Sequence, residues 1–191
     1  MKQRDIALYK LADAAVSGNS RFPSLDAATE YVSASLSRST VGRVVQDMCD
    51  VGAARWTDGS GELVLCSPSR AVDMYKTTWT RKREQVGRVS LSAAQELVCN
   101  GEAVWGGFPA AAHYLGGAPA SPHPHSIYVS ANSFVVNRNG DVPIYRWVDN
   151  NLPVSGFSTV TQTLTELFNT PGWMSGDFCA ALWNKYLEMA R

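Results

Sequence analysis

The chain has 191 residues, 45% of them hydrophobic and 18% charged, and a formal net charge of zero. This composition belongs to a folded globular protein and excludes disordered, collagen-like and strongly cationic classes; the length suits one large domain or two small ones. The charge is unevenly divided, because residues 1–88 hold thirteen Lys and Arg against ten Asp and Glu, whereas residues 89–191 hold four against seven. Only the first half therefore has the sign that suits phosphates.

The amino-terminal stretch carries Lys2, Arg4, Asp5, Lys10 and Asp13. These charges interrupt any long apolar run, so neither a signal peptide nor a membrane span is predicted, and a cytoplasmic protein without membrane contact is expected. Within IALYKLADAAV, apolar residues recur at steps of three and four and stop at Gly18-Asn19, which predicts a first helix. The segment RFPS reads as a turn, and Ser24 caps a second helix, LDAATEYVSASL. A third helix over RSTVGRVVQDMCDVG opens at Ser37, buries Val41, Val44, Val45 and Met48, and stops at Gly52.

ARWTDGSGELVLCSP then reads as a β-hairpin turning at Asp58-Gly59-Ser60-Gly61, and SRAVDMYKTTWTRKREQ as a further helix whose Arg81-Lys82-Arg83 marks a domain junction. Three helices followed by a hairpin is the order of a winged helix-turn-helix, assigned to residues 1–84.

In residues 85–191, SLSAAQELVCNG predicts a helix capped by Ser90 or Ser92, and FPAAAHYL a short helix ending at Gly116-Gly117. A proline loop, APASPHPHS, leads to short strands in IYVSA, SFVV and PIYRWV. Ser158 is read as the cap of TVTQTLTELFN, with Val160, Leu164, Leu167 and Phe168 on one side, and Gly176 or Asp177 as the start of a last helix. The fold class is thus α+β: a winged helix followed by a small α+β domain.

The amino end of the third helix gathers Ser37, Arg38, Ser39, Thr40 and Arg43, and Arg55 precedes the hairpin turn. Guanidinium groups pair with guanine edges and hydroxyls bond phosphates or bases, so these six are the candidate DNA-binding residues. Asp58 and Glu62 in the hairpin oppose phosphate, which predicts a weaker contact there.

Cys49, Cys66, Cys99 and Cys179 lack any CxxC spacing and are read as free thiols, mostly packed. His113, His123 and His125 form no recognisable metal or catalytic set, and neither GxSxG nor GxxxxGK occurs. No enzyme, cofactor or metal is expected. Aromatic residues crowd the second half, and a small-molecule pocket between Trp105, Tyr114, Tyr145 and Trp147 would make the chain a ligand-sensing winged-helix regulator instead.

The winged helix, the VWGGFPAAAHYLGG segment, the strands IYVSA and PIYRW, and the Ser-Thr-led helix GFSTVTQTLTELF together resemble the AbiEi family of antitoxins and transcriptional regulators, from type IV toxin–antitoxin pairs. The resemblance spans nearly the whole chain, although the last helix starts late and APASPHPHS has no counterpart in it. It implies a repressor of its own operon that binds inverted repeats in duplex DNA, and two-fold repeats suit a homodimer. It also implies a second domain that counteracts a nucleotidyltransferase toxin without necessarily touching it.

Overall fold

A computed structural model describes residues 3–33, 35–79, 85–117, 125–130, 132–133 and 139–188. The protein is α+β, and contacts divide it into two units, Met1–Trp79 with Tyr186–Arg191, and Thr80–Lys185.

The first unit is built on α1 (Gln3–Val16), whose Leu8, Leu11, Ala12 and Ala15 are buried. Next comes β1 (Arg21–Phe22), in the segment predicted to be a turn. Two residues are too few to carry a readable alternation, and the strand exists because β3 offers it a partner. Helix α2 (Leu25–Val32) is capped by Ser24, whose hydroxyl accepts from the Ala27 amide. It stops four residues short of the prediction, because Ser33 and Ser35 hydrogen-bond each other and the Ser35 amide, an alternative to the helical ladder.

Helix α3 (Arg38–Asp50) buries Val41, Val44, Val45 and Met48, none more than 1% exposed. Strands β2 (Ala54–Trp56) and β3 (Leu63–Leu65) form the predicted hairpin, with Ala54 opposite Leu65 and Trp56 opposite Leu63. With β1 on the other side of β3, the sheet order is β1-β3-β2. Helix α4 (Pro68–Trp79) packs on α1, bringing the Tyr75 ring within 5.3 Å of Tyr9.

The second unit holds a four-stranded sheet of order β4-β7-β6-β5, formed by β4 (Gln85–Val89), β5 (Ala103–Trp105), β6 (Ile127–Val129) and β7 (Val142–Arg146). Pairing is antiparallel except between β6 and β7. Helix α5 (Leu91–Cys99), capped by Ser90, packs on one face over Val89, Ala103, Ile127, Val129, Val142 and Ile144. Tyr128 of β6 points to the opposite side, toward α7 (Val160–Phe168), which packs with α6 (Gly107–Leu115) and α8 (Trp173–Trp183). A π-helical turn, Asn184–Glu188, follows α8. With both faces covered, the central strands are buried at successive positions.

Three expectations are corrected here. The cap of α7 is Thr159, not Ser158; the Thr159 hydroxyl accepts from the Gln162 amide, while Ser158 hydrogen-bonds the Thr163 hydroxyl. The last helix begins at Trp173 rather than Gly176 or Asp177, because Ser175 satisfies its hydroxyl on the Thr170 and Gly172 carbonyls. Helix α7 is not one-sided: Thr161, Gln162, Thr163, Thr165 and Glu166 are buried together with Val160, Leu164 and Leu167, whereas Phe168 is exposed.

The buried polar residues of α7 are tied to the sheet. The Glu166 carboxylate accepts from the Gly107 amide at 2.9 Å, the Ser126 hydroxyl at 2.6 Å and the Tyr128 hydroxyl at 2.8 Å, and Gln162 donates to the Tyr128 oxygen at 3.0 Å. Charge-assisted bonds of this kind offset the desolvation of a buried carboxylate. Gly106 permits the approach, since a Cβ there would lie 2.5 Å from the Tyr128 ring and 2.6 Å from Glu166.

Arg81-Lys82-Arg83, most of APASPHPHS including His123, and most of the predicted strand SFVV lie outside the described residues.

Candidate nucleic-acid interface

Apolar residues of α3 face the core of the first unit, so its other side is turned to solvent. Ser39, Arg43, Gln46 and Asp50 recur at steps of four, three and four and are all exposed. Helix α2 lies close beneath this helix: a Cβ on Gly42 would come within 3.3 Å of the Leu25 side chain. That contact seats α3 against α2 and leaves the stripe outside.

The six predicted residues have different surroundings. Ser37 is the N-cap, its hydroxyl accepting from the Thr40 amide at 3.2 Å and lying 3.0 Å and 2.9 Å from the Ser39 and Thr40 hydroxyls. The three hydroxyls thus form one local cluster, in which Ser37 satisfies the orphan Thr40 amide of the first turn. Arg38 is ion-paired through Nε with Asp26 of α2, both side chains being mostly exposed. An exposed pair of this kind is worth at most about 1 kcal/mol, so the guanidinium is easily released to a phosphate. Arg43 is exposed and has no ion-pair or hydrogen-bond partner among the described residues. Arg55, exposed on β2, is likewise unpartnered among them.

Two features were missed in the sequence. Gln46 belongs to the exposed stripe, where its side chain bonds Asp50 at 2.7 Å; helical spacing from Arg43 was the available signal. Arg70 of α4 donates to the carbonyls of Val51 and Gly52 just past the end of α3, where a cation is favourable beside the last carbonyls. No local pattern links positions 51 and 70.

The hairpin is less repulsive than its composition implied. Glu62 is paired with Arg21 at 3.1 Å, which leaves Asp58 as the carboxylate of the turn without a partner among the described residues. Trp56, 40% exposed, stands beside Arg55 on β2.

The thiols differ from the expectation that most are packed: Cys179 is buried and Cys49 half-buried, but Cys66 and Cys99 are exposed. Burial, and then the nearby Asp50 carboxylate and Cys66, push the Cys49 thiol above its ordinary value and keep it protonated.

In the second unit the four aromatics proposed as pocket walls contact neighbouring groups, and Tyr145 also lines a small cavity of about 190 Å³ beside His125 and Glu166. Trp147 and Tyr145 flank Tyr128 at ring distances of 5.5 and 5.8 Å. Tyr114 donates to the Ser158 carbonyl, and Trp105 meets His125 edge to face. His113 stacks on Phe157 at 4.0 Å. Among the described residues, no group of three or more His, Cys, Asp or Glu is placed to hold a metal, and no helix is long and apolar enough to cross a membrane. Compared with known protein families, curated proteins and solved structures, the chain matches none.

Proposed function

We propose that the first unit is a winged helix-turn-helix that binds duplex DNA and that the chain is a transcriptional regulator. In this reading α2 and α3 are the turn motif, the amino half of α3 enters the major groove, and the β2–β3 hairpin is the wing. The observation that carries it is the exposed stripe of α3, with the guanidinium of Arg43, unpartnered among the described residues, between Ser39 and Gln46. Arg and Gln are the side chains whose paired groups match guanine and adenine edges. Arg38 and Arg55 supply phosphate contacts, and neutralisation of Glu62 by Arg21 removes one source of repulsion from the wing.

Selection from a random duplex library, followed by gel retardation, tests this reading. The native chain should retard a selected duplex, and Arg43→Ala should weaken binding about tenfold, as expected for loss of one bidentate base contact. Arg38→Ala with Arg43→Ala should abolish retardation. Failure of the native chain to retain any duplex at low salt, or undiminished binding by the double variant, would overturn it.

The role as an autorepressing antitoxin rests on the segments that resemble the AbiEi family, which form β5, α6, β6, β7 and α7 of the second unit. Its test is genetic: expression of this chain should relieve growth arrest by a nucleotidyltransferase encoded beside it, and no relief would remove the antitoxin role while leaving DNA binding intact.

A further inference from the structure

Two side chains on the exposed stripe of α3 are coupled. Gln46 and Asp50, one helical turn apart and both exposed, are joined by a 2.7 Å hydrogen bond from Nε2 of Gln46 to the Asp50 carboxylate. A carboxylate can only accept, so this bond fixes which end of the Gln46 carboxamide is nitrogen and holds that end toward Asp50. The amide nitrogen carries two N–H groups, and Asp50 takes one of them. The second N–H and the carbonyl oxygen Oε1 make no other hydrogen bond among the described residues, which leaves Gln46 presenting one donor beside one acceptor.

That pair complements the major-groove edge of adenine, whose N6 donates and whose N7 accepts. Arg43, three residues earlier on the same stripe, has donors only and no partner among the described residues, which suits the two acceptors of guanine, O6 and N7. Three residues advance an α-helix by about 4.5 Å. Successive bases of one strand are about 3.4 Å apart, so a helix lying along the groove brings these two side chains to neighbouring base pairs.

We infer that Arg43 reads a guanine, that Gln46 reads an adenine one or two base pairs away, and that Asp50 is a positioning residue that presents the Gln46 carboxamide to the groove. This rests on the DNA-binding reading of α3 and adds the base content of the site and the carboxylate that orients one of its readers. A Gln–Asp bond at this spacing also steadies the helix by itself, a role that carries no base preference.

Selection from a random duplex library with the full native chain, followed by competition gel retardation with single base-pair changes, separates these roles. Selected duplexes should share a guanine and an adenine at that spacing, and replacing the adenine pair should weaken native binding about tenfold. Gln46→Ala should remove the preference at the adenine position and keep it at the guanine, and Arg43→Ala should do the reverse. Asp50→Ala should lower the adenine preference about threefold, through the lost ordering of Gln46, and should lower it no further in the Gln46→Ala background. Asp50→Asn, which keeps an acceptor oxygen in place, should retain most of it. An adenine preference undiminished in Gln46→Ala would overturn the base assignment, and one undiminished in Asp50→Ala, or lowered equally in both backgrounds, would overturn the positioning role. A native chain that retains no duplex at low salt would instead overturn the DNA-binding reading itself, and this inference with it.

Discussion

Thr161, on the first turn of α7, carries a fully buried hydroxyl that has no hydrogen-bond partner among the described residues. An unmet buried hydroxyl costs on the order of 1–3 kcal/mol, and valine has nearly its shape. Thr161→Val should therefore raise the stability of the second unit by about 1 kcal/mol, read as a higher urea midpoint at constant slope. Tyr75 presents the opposite case. Burial, reinforced by the Asp5 and Asp13 carboxylates, pushes its phenol well above the ordinary range. Its contribution is full below about pH 10, where the phenol is neutral in both folded and unfolded chains. Above that pH only the unfolded chain loses the proton, so stability should fall by up to about 1.4 kcal/mol per pH unit, and Tyr75→Phe should flatten that alkaline slope. At this scale the sequence was legible where a capping hydroxyl has no hydroxyl residue next to it in the chain, as at Ser24 and Ser37, and misleading where Ser158 and Thr159 offered two adjacent candidates. It was not legible for Arg38 and Arg70, whose partners are set by how helices pack and turns fold.

Among the elements, α3 was readable because one face is wholly apolar and the other wholly polar, so the 3.6-residue period is unambiguous. Helix α7 was misjudged in its burial because its polar residues face a protein interior rather than water. Thr and Gln at helical spacing look like a solvated face until Tyr128, Ser126 and the Gly107 amide supply partners from other elements. Strands β4 and β5 escaped prediction for different reasons: β5 is three residues long, too short for a readable period, and the alternation of β4 is interrupted at Gly87, where its pairing with β7 shifts register. The meeting of β5, β6, α6 and α7 depends on one small residue. Gly106→Ala would set a methyl against Tyr128, Glu166 and Ser126, and should cost about 1–3 kcal/mol, measured by chemical unfolding with tryptophan fluorescence.

For the whole molecule, zero net charge hides a division that bears on binding. Residues 1–88 carry a balance of +3 and residues 89–191 a balance of −3. With Arg38 and Arg55 as the phosphate contacts, the proposed DNA complex should have a modest salt dependence, a logarithmic slope of about −2; Arg38→Ala should reduce that slope by about one, and Arg43→Ala should weaken binding without changing it. A slope near −8 would mean that many more cations face the phosphates than this stripe of α3 presents.

By itself, the sequence determined the α+β class, most helices of the described chain, the β2–β3 hairpin and the polar stripe at the start of α3. Periodicity, capping hydroxyls and turn glycines act over a few residues, and those distances are written in the chain. Tertiary structure alone decided that β1 joins the hairpin, that Arg38 is paired while Arg43 has no partner among the described residues, and that Arg21 quiets Glu62. It also decided that the polar side of α7 is core. Each of these depends on contacts between residues distant in sequence, whose energies appear only once packing brings the groups together.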